Sequence, residues 1–367
     1  MNNSIFITNS GIDKFSGGGI VSYNIVEVLK SCTELRYILS KQKFPDNRYN
    51  GVEAYTINPK HYGYKDSDPF FEDYIAFHLL QKIPTELVVT YGCPMGLAVE
   101  ECKREFFCKV VCDLAPHNIE ISKEEHIKFT GGYPFPHLTD NNIWGLYSRH
   151  LRFADRVVVH SNKSADYIKN KAKLNIEPDV IPHGCHLPEI IPDYPEKIVP
   201  GYMGAIGHDK GIVYLINAWL NMPHDSDTKM VIAGREAEDF KLQNEEHMKF
   251  FNPIGHIEKL SDFYKKINIY IQPSVTEGFG ITTLEAMAHG RPVIVGEGAG
   301  VSELVENGKN GFVVPIRNIK AIKEKIQYFK DNPEEIKKIG KNARQTAEKY
   351  TWDIINKRYT KLFEELL

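Results

Sequence analysis

Two carboxylates, Glu277 and Glu285, stand eight positions apart around a glycine-rich stretch, where they could bind the hydroxyl groups of a ligand. The apolar run at residues 267–272 predicts a β-strand just before them, and the apolar pattern that follows predicts a helix. A strand, a glycine loop and a helix N-terminus in this order present backbone N–H groups to an anion, and the helix dipole favours negative charge there. Donors for phosphates beside acceptors for hydroxyl groups predict a pocket for a sugar nucleotide.

Residues 273–294 read PSVTEGFGITTLEAMAHGRPVI and closely resemble the E-x7-E signature of the retaining glycosyltransferases of family 4, the glycosyl transferases of group 1. Both glutamates, the Gly-Phe-Gly between them, the Glu-Ala-Met-Ala run and the final Gly-x-Pro-Val-Ile match. A plain βα loop before a solvated helix would explain a lone pair of glutamates, but not the whole string. The resemblance is close in the C-terminal half of the chain and loose in the N-terminal half, and it implies the GT-B fold.

Within the signature, the resemblance assigns Glu285 to the ribose hydroxyls of a nucleotide-sugar donor. It assigns Glu277 to the hydroxyls of the transferred sugar, or to charge stabilisation beside the anomeric carbon. An ionised carboxylate can accept two hydroxyl hydrogen bonds at once, which suits both roles. Thr282 is expected to cap the helix or to reach a phosphate. The implied donor-binding residues are Gly18, Gly204, Lys210, Arg235, Ile257, Glu277, Gly278, Phe279, Gly280, Ile281, Thr282 and Glu285.

Residues 204–211, GAIGHDKG, follow a predicted strand and resemble the family pattern Gly-Arg-Leu-x-x-x-Lys-Gly. Lys210 is in register with the family lysine, which binds the donor diphosphate; a surface cap is the competing interpretation. Ala205 stands where the family has an arginine, and alanine cannot make bidentate, charge-assisted contacts. We expect Arg235, or less well His208, to replace the arginine; otherwise the departure indicates weak or lost catalysis.

The N-terminal half carries weaker candidates. Gly18 lies in a glycine run that resembles a family loop approaching the donor phosphates from the other side of the cleft. Many relatives have a histidine that contacts the transferred sugar where this chain has Cys112 and Asp113, so we expect Asp113 or His117 to take over. A turn cap beside Pro116 is the alternative for His117. The implied catalytic residues are Glu277, Lys210, Asp113 and His117.

Alternating strand and helix patterns in each half predict parallel sheets covered on both faces. A proline-rich linker separates the halves between residues 182 and 200. The predicted fold class is α/β, with two doubly wound Rossmann-like domains facing a cleft. The predicted domains are 1–190 on the acceptor side, 191–350 on the donor side, and a C-terminal helix at 351–367. The resemblance implies that this helix crosses back to the N-terminal domain; a simple docking helix is the alternative.

The composition, 42% hydrophobic and 25% charged over 367 residues, suits two domains with cores. A net charge of −3 gives no argument for nucleic acid as a partner. The sequence has neither a long apolar run nor a basic, apolar leader, so we expect a cytoplasmic protein and leave open a peripheral contact at the inner membrane face. The six cysteines lack C-x2-C spacing and predict buried free thiols.

Two Asp-Ser-Asp strings, at residues 66–68 and 225–227, resemble the metal-binding DxD motif of the other glycosyltransferase fold. Both lie in polar stretches away from the motifs above, and such triplets are common by chance. We therefore expect no catalytic metal and no cofactor. Lys210, helix dipoles and backbone amides would stabilise the leaving diphosphate instead.

The resemblance implies that a sugar moves, with retention of anomeric configuration, from a UDP- or GDP-sugar to a hydroxyl group of a sugar, glycan or lipid-linked acceptor. The departing phosphate oxygen is expected to help deprotonate that hydroxyl. One alternative is a non-hydrolysing sugar-nucleotide epimerase, and another is a catalytically weak, glycosyltransferase-like binding partner. The nucleotide base, the sugar, the acceptor and the oligomeric state stay open at this point.

Overall fold

The computed structural model of the chain describes residues 3–8, 12, 17–40, 52–57, 69–81, 83–92, 95–116, 118–131, 140–172, 177–223, 228–235, 249–255, 257 and 259–367. His117, both Asp-Ser-Asp strings and the helix predicted at residues 239–248 lie outside the described residues. Within the described ranges, every helix is too short or too polar to span a bilayer.

The chain divides into two compact units. The first comprises Met1–Pro116, Phe135–His183 and Asp353–Leu367, and the second comprises His117–Pro134 and Gly184–Trp352. Two segments, His117–Pro134 and Asp353–Leu367, thus belong to a different unit from the residues that precede them in the sequence. The C-terminal segment joins the first unit, as a crossover helix would. The sequence did not predict that residues 118–131 belong to the second unit.

The first unit contains a seven-stranded sheet in the order β3-β2-β1-β4-β5-β6-β7, and all its paired strands are parallel. Its strands are β1 (Asn3–Thr8), β2 (Glu34–Ser40), β3 (Glu53–Thr56), β4 (Leu87–Tyr91), β5 (Lys109–Asp113), β6 (Arg156–Val159) and β7 (Asp179–Val180). Its helices are Gly17–Cys32, Pro69–Leu80, Gly96–Phe106, Asp140–Arg152, Asn162–Ala172 and the C-terminal Trp352–Glu364. Strand β4 is buried throughout, as a parallel sheet covered on both faces requires.

The second unit contains a six-stranded parallel sheet in the order β10-β9-β8-β11-β12-β13. Its strands are β8 (Pro200–Met203), β9 (Met230–Ala233), β10 (Phe251–Gly255), β11 (Ile269–Gln272), β12 (Val293–Gly296) and β13 (Gly311–Val314). Its α-helices are Ile119–Thr130, Ile212–Leu220, Leu260–Tyr264, Ile281–Ala288, Ile319–Asp331 and Pro333–Ala347, and its 3-10 helices are Gly300–Leu304 and Glu348–Tyr350.

Each sheet reverses its strand order once, between β1 and β4 in the first unit and between β8 and β11 in the second. In doubly wound folds, ligands bind beyond the carboxyl ends of the strands at such a reversal. In the second unit, residues 204–211 follow β8 and residues 273–280 follow β11; we name them the Lys210 loop and the signature loop. The predicted fold class, two doubly wound α/β domains, is confirmed.

The C-terminal helix is held on the first unit by polar contacts along its length. Tyr359 Oη donates to Asp113 Oδ2 at 2.5 Å, and the Arg358 guanidinium donates to the carbonyl of Val180 at 2.7 Å. Near the start of the helix, Asn356 Nδ2 donates to Asn24 Oδ1 at 3.1 Å. The helix therefore completes the first unit although it follows the second in sequence.

Arg291, in the Gly-Arg-Pro end of the signature, has a structural role. Its guanidinium is fully buried and donates to the carbonyls of Pro192, Asp193 and Tyr264, each at 2.9 Å. It also packs over the ring of Tyr194, 4.2 Å from the centroid. A buried charge must be paired or fully hydrogen-bonded, so this arginine fixes the linker to the second unit.

Candidate active site

The Lys210 loop and the signature loop meet at the carboxyl edge of two neighbouring parallel strands, β8 and β11. The carbonyl of Asp209 accepts hydrogen bonds from the amides of Val275 at 2.9 Å and Thr276 at 3.3 Å. Gly211 has a φ of +67°, and a Cβ atom there would lie 2.1 Å from the carbonyl oxygen of Pro273. Only glycine fits this approach, and the two loops therefore form one surface.

A lysine and a glutamate, both predicted from the sequence, are paired across these loops. Lys210 Nζ lies 2.7 Å from Glu277 Oε2 and 3.4 Å from Asp209 Oδ2. Burial disfavours the lysine charge, but the two carboxylates outweigh that effect and raise the pKa of Lys210 above its ordinary value. The ammonium is therefore charged at neutral pH, and about a fifth of each side chain, 21% for Lys210 and 22% for Glu277, is exposed.

Glu285 lies in the helix that follows the signature loop, Ile281–Ala288, which we name the signature helix. The residue is only 8% exposed, and burial raises the pKa of its carboxyl to about 8. Among the described residues, none makes a hydrogen bond or ion pair with this carboxylate. A buried carboxyl that no described residue bonds is costly, which makes Glu285 a candidate for completion by a ligand.

The signature helix begins in a conformation that suits an anion site. Gly280 precedes it with a φ of 100°, in the left-handed region where a Cβ would be strained. The hydroxyls of Thr282 and Thr283 donate to Gln272 Oε1, the former at 3.3 Å. The Thr282 hydroxyl is thus engaged within the protein, and the backbone N–H groups of Ile281 and Thr282 are the donors oriented along the helix axis.

The other signature residues are integrated into the core. Phe279 is 3% exposed, and its carbonyl accepts from the amide of Val301 at 2.7 Å. The backbone of Glu277 is held on both sides, since its amide donates to Gly298 and its carbonyl accepts from Gly300, each at 3.1 Å. Its side chain is therefore presented from a rigid loop.

This chain has Ala205 where the family has an arginine, and a different cation, Arg235, lies beside the Lys210 loop. The amide of Ile206 donates to the carbonyl of Arg235 at 2.9 Å, so Arg235 lies directly alongside Ala205 and Ile206. Arg235 is exposed, and its guanidinium makes no hydrogen bond or ion pair with any described residue. By contrast, His208 is 8% exposed and stacks on Phe129, with ring centroids 5.1 Å apart. Arg235 is the better placed substitute.

Helix Ile119–Thr130 packs on this site, which the sequence did not predict. Asn118, its N-cap, donates its amide to Thr276 Oγ1 at 2.8 Å, next to Glu277. Its Glu125 is fully buried, where it pairs with Arg317 Nε at 2.5 Å and accepts from Tyr214 Oη at 2.8 Å. An N-cap asparagine before a helical stretch could have indicated the helix, but no local signal indicated its partner.

The candidates in the first unit have different environments. Asp113 is fully buried, where Tyr359 Oη donates to one carboxylate oxygen and His160 Nε2 lies 3.1 Å from the other. Cys112 is also fully buried, and burial raises the pKa of its thiol. Gly18 lies in the first turn of helix Gly17–Cys32, which begins three residues before the predicted start at residue 20.

Two further predicted positions lie in the second unit. Ile257 is half-buried and packs against its apolar core. Gly204 directly follows β8, and its amide donates to the carbonyl of Ala233 at 3.1 Å. Among the residues that the structure describes, no group of three His, Cys, Asp or Glu side chains is arranged to hold a metal ion.

Comparison with known proteins agrees with this architecture. Residues 188–346 match the family described as glycosyl transferases group 1. The chain is similar to an uncharacterized glycosyltransferase of Methanocaldococcus jannaschii, with 24% identity over 358 residues that cover 95% of both proteins. It is also similar to CapM, a capsular polysaccharide biosynthesis glycosyltransferase of Staphylococcus aureus, with 29% identity over 46% of this chain and 48% of that relative.

Among solved structures, sucrose-phosphate synthase from Thermosynechococcus elongatus matches 100% of this chain and 99% of its own, with a TM-score of 0.82 and 18% identity. The Anabaena protein HepE in complex with UDP-glucose matches over 100% of both chains, with a TM-score of 0.74 and 17% identity. These likenesses define a protein of the GT-B fold. Residues 188–346 are thus similar to the glycosyl transferases of group 1, and the likeness to the Methanocaldococcus jannaschii glycosyltransferase extends over most of the chain.

Proposed function

We propose that this chain is a retaining glycosyltransferase that takes a sugar from a nucleotide diphosphate donor, a UDP-sugar ahead of a GDP-sugar, and transfers it to a hydroxyl group. The observation that carries the proposal is the Lys210–Glu277 pair at the strand-order reversal, followed by the helix with the buried, unpartnered carboxylate of Glu285. A cation, a helix N-terminus and two carboxylates together match a diphosphate joined to two hydroxyl-rich groups.

The diphosphate would bind between the Lys210 ammonium and the first turn of the signature helix. As the bond to the sugar breaks, negative charge grows on the departing phosphate oxygen, and a fixed cation with oriented N–H groups stabilises it. That oxygen would take the proton of the acceptor hydroxyl on the same face of the sugar, so configuration is retained. Binding of the diphosphate would release Glu277 from Lys210 to accept hydrogen bonds from the transferred sugar.

Glu285 would bind the ribose of the donor. Two neighbouring ribose hydroxyls can each donate to one oxygen of an ionised carboxylate, and would thus supply partners that none of the described residues gives this buried group. The preference for UDP rests on HepE, which binds UDP-glucose in a structure of the same fold. Ile257 would contact the base through its backbone.

Arg235 would supply the second cation that Ala205 lacks. No described residue bonds the Arg235 guanidinium, and its backbone is bonded to the Lys210 loop, so Arg235 can meet the diphosphate from the side of β9. We further propose that no metal ion takes part, because Lys210, Arg235 and the helix dipole together provide positive charge at the leaving group. The roles of Gly18 and His117 on the acceptor side stay predictions, whereas the full burial of Asp113 against Tyr359 favours a structural role for that residue.

Calorimetric titration with UDP and with GDP, in the presence of EDTA, tests the donor site. We expect the wild type to bind UDP more tightly than GDP, and Glu285→Gln to weaken UDP binding on the order of 10-fold, because the ribose loses a charged acceptor. Glu306→Gln, which alters an exposed carboxylate of the same unit, is the matched control. Absence of nucleotide binding in the wild type, or equal loss in both variants, would refute the site.

Transfer itself is tested with UDP-sugars and a panel of sugar, glycan and lipid-linked acceptors. NMR of the first product should show the anomeric configuration of the donor. Interconversion of two nucleotide sugars without an acceptor would instead indicate an epimerase.

A binding partner with weak catalysis is a second candidate, and the absence of arginine at position 205 favours it. In that case the protein would bind UDP but neither hydrolyse nor transfer the sugar of any UDP-sugar. Slow donor hydrolysis without acceptor, lost in Glu277→Gln, would exclude this candidate.

A further inference from the structure

We propose that Tyr270 is a positioning residue that sets the distance between the Lys210 loop and the signature helix, and thereby the affinity for a nucleoside diphosphate. This inference rests on the proposed function and deepens it. Tyr270 lies on β11, in the core beneath both loops, and is fully buried. Its contact with the ligand is indirect, through the two elements that would bind the phosphates.

The Tyr270 hydroxyl joins the starts of these two elements. Its Oη donates to the carbonyl of Met203 at 2.8 Å and lies 2.7 Å from Thr282 Oγ1. Met203 is the last residue of β8, directly before the Lys210 loop, and Thr282 is in the first turn of the signature helix. The Tyr270 hydroxyl thus has one hydrogen-bond partner at the base of the loop, the Met203 carbonyl, and another at the base of the helix, Thr282 Oγ1.

Two neighbouring tyrosines donate comparable hydrogen bonds, but one bonds only to the Lys210 loop and the other only to the signature helix. Tyr202 Oη donates to the carbonyl of Ala205 at 2.5 Å, within the Lys210 loop. Tyr264 Oη donates to the carbonyl of Thr282, a residue of the signature helix, at 3.0 Å. All three hydroxyls are buried, so each needs a partner for stability. Of these three, Tyr270 alone connects the loop with the helix.

The connection matters because a diphosphate has a fixed span. The Lys210 ammonium reaches the ligand from one element, and the helix N–H groups reach it from the other. Small displacements of binding groups weaken charge-assisted hydrogen bonds, since these depend on distance and angle. A shared hydroxyl below both elements keeps their spacing constant in the unliganded protein, so binding requires less ordering.

Tyr270→Phe removes the connecting oxygen and keeps the ring, and Tyr264→Phe is the matched control. Tyr270→Phe loses two buried contacts of one hydroxyl and Tyr264→Phe loses one, and each should lower Tm by a few degrees. With UDP as the probe, we expect Tyr270→Phe to raise Kd about 5–10-fold, the effect of one hydrogen bond, and Tyr264→Phe to change it less than about 2-fold. Thr282→Val, which removes the other end of the connection, should resemble Tyr270→Phe.

Amide hydrogen exchange without ligand gives an independent readout. Tyr270→Phe should speed exchange in the Lys210 loop and at the start of the signature helix together, whereas Tyr264→Phe should affect the helix alone. Equal UDP affinity in wild type and Tyr270→Phe, or the same exchange pattern in both tyrosine variants, would overturn this inference and leave the proposed function intact. If the wild type binds no nucleotide, the proposed function fails and this inference fails with it.

Discussion

The Lys210 ammonium lies 2.7 Å from the Glu277 carboxylate, so the cation that would meet the donor diphosphate is neutralised within its own site. We expect Lys210→Met to weaken UDP binding on the order of 10–100-fold, because the phosphates lose a charge-assisted donor. Glu277→Gln should keep or tighten UDP binding, since it frees Lys210, while sugar transfer falls on the order of 100-fold. Calorimetry and initial rates separate the two effects. Equal loss of UDP binding in both variants would contradict this division of roles.

Glu285 makes UDP binding depend on pH. With a pKa of about 8, roughly a tenth of this carboxyl is ionised at pH 7, and the ribose hydroxyls need the ionised form. The affinity for UDP should therefore rise about 10-fold from pH 7 to pH 9 and level off above the pKa. Titrations above pH 7 avoid ionisation of the phosphate itself. Glu285→Gln should remove the pH dependence, and a wild type with a flat profile would show that this carboxyl is not in the site.

The same carboxyl makes the stability of the folded protein fall as pH rises, which is opposite to its effect on UDP affinity. Because its pKa is raised above the unfolded value of 4.5, its contribution to stability is complete below pH 4.5 and is lost as pH rises through about 8. Glu285→Gln should therefore raise the Tm of the unliganded protein at pH 8.5 more than at pH 5.5. A thermal-shift series over this range measures the difference. A variant less stable than the wild type at pH 8.5 would contradict the expectation.

Arg235 and position 205 should be energetically coupled. We expect Arg235→Ala to weaken UDP binding about 5-fold, and Ala205→Arg to tighten it about 3–10-fold, because an arginine there restores a charge-assisted contact. In the Ala205→Arg background the loss from Arg235→Ala should shrink, which a double-mutant cycle detects. Lys229→Ala removes an exposed positive charge before β9, at the other end of the strands, and serves as the control. Additive effects would mean that the two arginines do not share a ligand.

Asp113 differs in its surroundings from Lys210 and Glu277, which are both partly exposed. Because its carboxylate is fully buried and bonded to Tyr359, we expect Asp113→Asn and Tyr359→Phe each to lower the free energy of unfolding by about 1–3 kcal/mol. Both should leave the transfer rate per folded molecule nearly unchanged. Urea unfolding and initial rates test this. A rate lowered on the order of 100-fold at unchanged stability would place Asp113 in the catalytic set after all.

The buried Glu125 makes helix Ile119–Thr130 depend on Arg317. Arg317→Ala leaves this carboxylate with the Tyr214 hydroxyl as its remaining bonded side chain, and we expect the free energy of unfolding to fall by about 1–3 kcal/mol. Lys309→Ala breaks an exposed pair in the same unit and should cost less than about 0.5 kcal/mol. Urea unfolding of both variants gives the comparison; similar values would mean that Glu125 is not fixed by Arg317.

The sequence by itself determined the elements that short-range patterns encode. The apolar run at residues 267–272 predicted strand β11, Ile269–Gln272, and the pattern after it predicted the signature helix, because apolar periodicity is a local property. The same local order placed Lys210 after β8 and Glu277 after β11. It could not show that their charges meet, since that depends on the pairing of strands far apart in sequence.

Only the tertiary structure decided which residues share an environment. It buried Asp113 under Tyr359, joined helix Ile119–Thr130 to the second unit, and brought Tyr270 to the base of both loops. In each case the partners are separated by many residues, and their contact depends on how whole elements pack. A polar residue in a strand looks the same in sequence whether it binds a ligand or a distant side chain. The packed core decides between these roles, because a buried polar group that finds no partner there is costly.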